Sequence, residues 1–104
     1  MEKLERSAST VEVFAYLESH PLVVVLFIDQ SNLSKQYVSM PWVQTVSNIV
    51  EVDQDILDTF QIGKVPQYRF YMKGQEVASI IGTSSQEEFQ EIHNKVFSNV
   101  EPIR

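Results

Sequence analysis

The 104-residue sequence contains no cysteine. That excludes disulfides, thiolate nucleophiles and most zinc sites, and it removes any clue to the redox compartment. Positive charge is also scarce, with 8 Lys and Arg against 14 Asp and Glu and a formal net charge of −6. An acidic chain without a basic stripe gains little by neutralising phosphates, so neither nucleic acid nor an anionic membrane is expected as a partner. No apolar run approaches the roughly 18 residues that span a bilayer. The opening segment MEKLERSAST carries no apolar signal-peptide core. Cytoplasmic location is the resulting expectation. No cofactor is implied. The carboxylates at Asp53 and Asp55, and at Glu87, Glu88 and Glu91, fall on separate predicted elements and read as solvated surface rather than converging metal ligands.

What is present describes a folded domain. Apolar residues make up 43% of the chain and aromatics 11%, too many for a disordered segment. The length suits one domain over residues 1–104, with a core that hides roughly 60–70% of the unfolded surface. Ser9-x-x-Glu12 is a capping box, followed by Val13, Phe14 and Leu17 at helical spacing, which predicts a helix over Thr10–Ser19. The run LVVVLFI, Leu22–Ile28, is short and β-branched, and suits a strand covered on both faces. Tyr37, Val38, Trp42, Val43 and Val46 then recur at helical period, with Pro41 predicting a kink or a late start. Residues 48–53, NIVEVD, read as a strand, and ILDTFQI as a short helical or irregular connector. YRFYM and EVASII flank Lys73-Gly74 and should form an antiparallel hairpin. Overlapping caps, Ser84-x-x-Glu87 and Ser85-x-x-Glu88, precede a last helix with Phe89, Ile92, Val96 and Phe97 on one face. KLER, residues 3–6, is a candidate short first strand. This order predicts an α/β domain with a central mixed sheet of four or five strands and helices on both faces.

The chemistry-bearing candidates lie where LVVVLFI turns polar, at Ser31 and Ser34 with Lys35 behind them. A nucleophilic serine needs an adjacent base held by a third group. The two histidines, His20 at a helix exit and His93 in the last helix, do not belong near that turn. Asn32-Leu33-Ser34 also fits the glycosylation pattern, which matters only in a secreted protein. Trp42 reads as core. Arg69 is out of place in a covered strand, and needs either an outward path for its head group or a buried acid as partner.

The residues on either side of that turn resemble the thioredoxin family. PLVVVLFIDQSNLSKQ aligns without a gap to the family's strand and active-site turn, and its Cys-Gly-Pro-Cys-Lys falls on Ser31-Asn32-Leu33-Ser34-Lys35. A second ungapped match runs from residue 60 to 97, and places Pro66, Gly74 and Gly82 on the family's cis-proline, hairpin glycine and active-site-facing glycine. Between Lys35 and Asp53 the chain is several residues shorter than the pattern, and Ser39 stands where the family has a helix proline. The resemblance implies a thioredoxin-like fold without thiol–disulfide exchange, because Ser31 and Ser34 replace both thiols. Val25 replaces the family's buried acid and Gln30 the tryptophan before the first cysteine. It also implies a cis Val65–Pro66 peptide, with the Val65 backbone turned toward a groove rimmed by Gln30, Asn32, Leu33, Lys64 and Thr83. The expected function is therefore a non-catalytic module that binds a protein or extended peptide there. The alternatives are a glutathione-binding or glutathione-transferase-like domain, and a Cys-to-Ser variant of an active oxidoreductase.

Overall fold

A computed structural model of the chain describes residues 3–98. The capping box at Ser9 forms as the spacing requires. The Ser9 N–H donates to Glu12 Oε1 at 2.8 Å and the Glu12 N–H to Ser9 Oγ at 3.3 Å, opening α1 over Thr10–Ser19. Strand β1 covers Leu22–Ile28. It is followed by α2 (Asn32–Val38), α3 (Pro41–Val46), β2 (Asn48–Glu51) and α4 (Gln54–Phe60). The hairpin strands β3 (Gln67–Met72) and β4 (Gln75–Ile81) and the helix α5 (Gln86–Phe97) complete the order.

The four strands form one mixed sheet in the order β2-β1-β3-β4. β1 runs parallel to β2 and antiparallel to β3, and β3 is antiparallel to β4. Because side chains alternate across a strand, the apolar run of β1 supplies both faces. Val23, Val25 and Phe27 join Val13 and Leu17 of α1 and Ile56 and Phe60 of α4 in one core. Val24, Leu26 and Ile28 join Val38, Val43, Phe89 and Phe97, from α2, α3 and α5, in the other.

Several expectations change in the folded chain. KLER forms no strand among the described residues. The Arg6 carbonyl accepts from the Glu51 N–H at 2.8 Å, and Leu4 N–H donates to the Asn48 side chain at 3.1 Å. One backbone bond and one side-chain bond do not make a ladder, so the sheet has four strands. The predicted kink at Pro41 is a complete break. Met40 adopts an extended backbone and Pro41 starts α3, where its missing N–H is harmless and its ring cannot continue α2. β2 stops at Glu51, and Asp53 caps α4 instead by accepting from Ile56 N–H at 2.9 Å. Of the two overlapping caps before α5, Ser85 with Glu88 is the one that forms, and Ser84 is buried.

The hairpin turns on Lys73 and Gly74, with φ of 54° and 85°. Two successive left-handed residues match the right-handed twist of the strands they join. Arg69 finds its acid: Nη1 donates to Glu76 Oε1 at 3.1 Å, Nη2 to the Gln61 carbonyl at 3.3 Å, and Nε to Gln67 Oε1. Three partners account for a guanidinium on a residue that is only 9% exposed.

Leu26 is fully buried at the centre of the sheet. Leu26→Ala should lower unfolding free energy by about 2–5 kcal/mol in urea titrations, a large share of a marginal total. A change under about 1 kcal/mol would contradict the two-sided burial of β1.

Candidate functional site

β1 delivers the chain to the Ser31 turn, and Asp29 organises the residues immediately after it. Asp29 Oδ1 accepts from the Ser31 N–H at 3.0 Å and from the Ser34 hydroxyl at 2.8 Å. Ser31 Oγ in turn accepts from the Ser34 N–H at 3.2 Å, which makes it the N-cap of α2. Hydrogen bonds from Ser31 first, and from Ser34, hold the Asp29 carboxyl below its usual range against a smaller opposing effect of burial. Ser34 is fully buried and Ser31 exposed.

Both hydroxyl oxygens therefore take part in the turn, Ser34 as a donor and Ser31 as an acceptor. Each histidine is held elsewhere: His20 stacks on Tyr16 with ring centroids 4.0 Å apart, and His93 lies against Phe89 and Phe97. No imidazole reaches either serine, and a carboxylate with a depressed pKa is a weak base. The turn is a cap, and the hydrolase chemistry considered for it has no base to run on.

Beside the turn, a cleft of about 370 Å³ opens between α2 and the loop from β4 to α5. Leu33 and Thr83 line it, together with Gln36, Tyr37, Met40 and Ser84. Leu33 is 56% exposed and Met40 44%. Of the residues expected to rim one groove, these two share the cleft: Leu33 and Thr83. Gln30, Asn32, Lys64, Val65 and Pro66 do not line it. Gln30 reaches across to Glu51, Nε2 to Oε1 at 3.4 Å, while Asn32 and Lys64 are exposed.

Pro66 itself is fully buried, so its ring offers no surface to a partner. The Val65–Pro66 peptide is cis. The Pro66 carbonyl accepts from the Gly82 N–H at 2.8 Å, tying this loop to the end of β4, where Gly82 takes φ of 94°. Neither the N–H nor the C=O of half-buried Val65 has a hydrogen-bond partner among the described residues. Val25 is buried against Phe27 and Phe60 in the α1–α4 core. Its cross-strand neighbours are Arg69 and Asn48, and neither is an acid.

Two residues of this region carry more than their sequence positions suggested. Asp29 is one, and the Asp-x-Ser pattern of a side chain bonding to the backbone two residues on was its signal. Tyr37 is the other. Its hydroxyl donates to the Ser84 carbonyl at 2.8 Å and accepts from the Ser84 N–H at 3.1 Å. The Tyr68 hydroxyl lies 3.0 Å away. This network pins the β4–α5 loop to α2, and burial, then the bond to Tyr37, pushes the Tyr68 hydroxyl well above its ordinary pKa. A tyrosine in place of phenylalanine at a buried helical position was the only hint in the sequence.

Asp29→Ala should cost about 1–2 kcal/mol at pH 7, because it strands the Ser34 hydroxyl without its acceptor. The depressed carboxyl contributes stability above its unfolded value near 3.8, and that contribution is lost as pH falls through the folded value. Urea titrations at pH 7 and pH 2.5 should show the gap between parent and variant closing in acid. A gap that stays constant would remove Asp29 from the centre of the turn.

No family model and no curated protein matches the sequence. Solved structures do. A thioredoxin mutant from Halobacterium salinarum superimposes with a TM-score of 0.69 at 13% identity, over 94% of this chain and 91% of that one. Thioredoxin f2 of Chlamydomonas reinhardtii gives 0.67 at 20% identity, covering 86% and 93%. A Plasmodium falciparum thioredoxin gives 0.65 at 20%, covering 89% and 98%. At these identities the likeness establishes architecture alone: this chain has the thioredoxin fold, and it has no cysteine with which to perform thiol chemistry.

Proposed function

We propose that the domain is a non-catalytic protein-interaction module that holds an extended segment of a partner across the Leu33–Thr83 cleft. The observation that carries this reading is the combination of internally committed serines with an open, partly apolar cleft beside them. Thiol–disulfide exchange needs two sulfur atoms that cycle between thiol and disulfide, and hydroxyls cannot replace them. Binding needs no such atoms. Leu33 and Met40 offer apolar contact, and the Val65 N–H and C=O can add strand-like hydrogen bonds to an extended chain. In this reading the exposed Gln30, Asn32 and Lys64 are available to a segment that extends beyond the cleft.

The glutathione-transferase-like alternative draws no support from the site. Ser31 Oγ accepts from the Ser34 N–H as a helix cap, and the cleft beside it is lined by Glu88 with no lysine or arginine to pair with the carboxylates of glutathione.

An insulin turbidity assay with dithiothreitol as donor should give the rate of the dithiothreitol blank. Any acceleration would show redox chemistry that this reading excludes. For binding, peptides selected from a displayed random library against the native chain should lose about tenfold or more in affinity to Leu33→Asp and to Met40→Asp. That corresponds to loss of a buried apolar anchor of about 1.4 kcal/mol or more. Both variants should melt at the parent temperature, because both side chains are exposed. Selected peptides that bind both variants at full affinity would move the interaction surface away from this cleft.

A further inference from the structure

A second cavity, of about 390 Å³, opens at the other end of the sheet. It sits where β1 begins, roughly 20 Å from the Ser31 turn at about 3.3 Å per residue along the strand. Its volume falls within the range of small-molecule sites. Leu22, Val24, Val46 and Phe97 supply apolar wall, and Lys3, Tyr16, His20, Asn48 and His93 supply the polar groups. No aspartate or glutamate is among the described residues that line it. In a chain of net charge −6, an acid-free cavity that gathers a lysine and both histidines runs against the average composition.

Most of the polar capacity is already used. Lys3 Nζ donates to the carbonyls of Gln44, Thr45 and Ser47, at 3.0, 2.7 and 3.3 Å. Its charge stays at the cavity, but its three protons are committed. The Asn48 amide donates to the Val24 carbonyl and accepts from Leu4 N–H. His20 Nδ1 lies 3.0 Å from both the Tyr16 carbonyl and the Ser19 hydroxyl, so that nitrogen is engaged within its own helix end. His93 differs. Its Nδ1 is buried with no hydrogen-bond partner. A proton on that nitrogen would be a buried donor without an acceptor, so the favoured tautomer carries it on Nε2.

The cavity thus offers an uncommitted N–H donor on His93, a nearby fixed positive charge and apolar walls. We infer that it is a binding site for a small monocarboxylate with an aromatic or branched apolar body. One carboxylate oxygen accepts from His93 Nε2–H, the Lys3 charge favours the anion, and the body lies against Leu22, Val24 and Phe97. A phosphate would require several donors, and the lysine protons are spent. A cation would face Lys3 with no acid to hold it, and no metal-holding cluster of three ligands exists among the described residues.

Phenylacetate, phenylacetamide and phenethylamine test this as matched probes against the isotopically labelled full chain, followed by NMR. Millimolar phenylacetate should saturably shift the ring signals of His20 and His93 and the amide signals of Leu22 and Asn48. The Leu33 and Thr83 signals of the other cleft should stay still. Phenylacetamide should bind about fivefold more weakly, as one screened charge interaction predicts, and phenethylamine not at all. Val46→Trp, which fills the cavity from an exposed position on α3, should abolish the shifts without changing the melting temperature. Lys3→Met should weaken phenylacetate about fivefold. The inference is overturned by no saturable shift with phenylacetate, by equal binding of the three probes, by shifts centred on Leu33 and Thr83, or by full binding to Val46→Trp.

Discussion

The two-sided burial of β1 is the constraint on which the rest of the molecule depends. Seven consecutive apolar residues in an extended chain point alternately to opposite faces, so no single layer can cover them. One layer, α1 and α4, closes over Val23, Val25 and Phe27, and another, α2, α3 and α5, over Val24, Leu26 and Ile28. The antiparallel hairpin joins this parallel unit along the free edge of β1, which yields the order β2-β1-β3-β4 and leaves β1 covered on both sides by strands. Each fully buried aliphatic side chain of such a strand contributes roughly 1.5–3 kcal/mol relative to exposure, and this strand carries six buried residues in succession.

The same burial explains the chemistry at the strand's end. Once Ile28 is covered, the chain emerges with its polar groups at the N-terminus of α2, where unsatisfied N–H groups call for oxygen acceptors. Asp29 and Ser31 supply them, and Ser34 completes the circuit. Hydroxyls are good hydrogen-bonding groups and poor redox groups, so serine at both positions makes a well-capped helix and no disulfide. A fold shared with thioredoxins is no guide to activity when its reactive atoms are missing. What the scaffold retains is shape: a cleft beside the turn and a loop held by Tyr37.

Two of the eight cations are spent in a similar way. Lys3 gathers three carbonyls at the end of α3, and Arg69 gathers Glu76, Gln67 and the Gln61 carbonyl under β4. Both tie irregular backbone to the sheet, where helix ends and left-handed turns leave acceptors without donors. In an acidic protein, positive charge held against backbone carbonyls also creates local environments unlike the surface average, and the Lys3 end of the sheet is the clearest example.

Much of the architecture was legible because its signals are local. The Ser9 capping box, the continuous run of Leu22–Ile28, the Lys73-Gly74 turn and the helical period after Ser85 each lie within a dozen residues, and each predicts its element. The cysteine-free turn likewise excluded disulfide exchange from composition alone. Other features needed partners distant in sequence. KLER resembles a strand but meets β2 through only two hydrogen bonds, because an Asn48 side chain takes the place of a backbone rung. Arg69 could be recognised as needing an acid, yet Glu76 became that acid only through hairpin register. Leu33 and Thr83 share a cleft while Pro66 is buried, since packing decides which side of a loop meets solvent. Pattern and propensity act through neighbours along the chain and so determined the elements. Burial, charge pairing and cavities depend on neighbours in space, and those were decided only when the sheet closed.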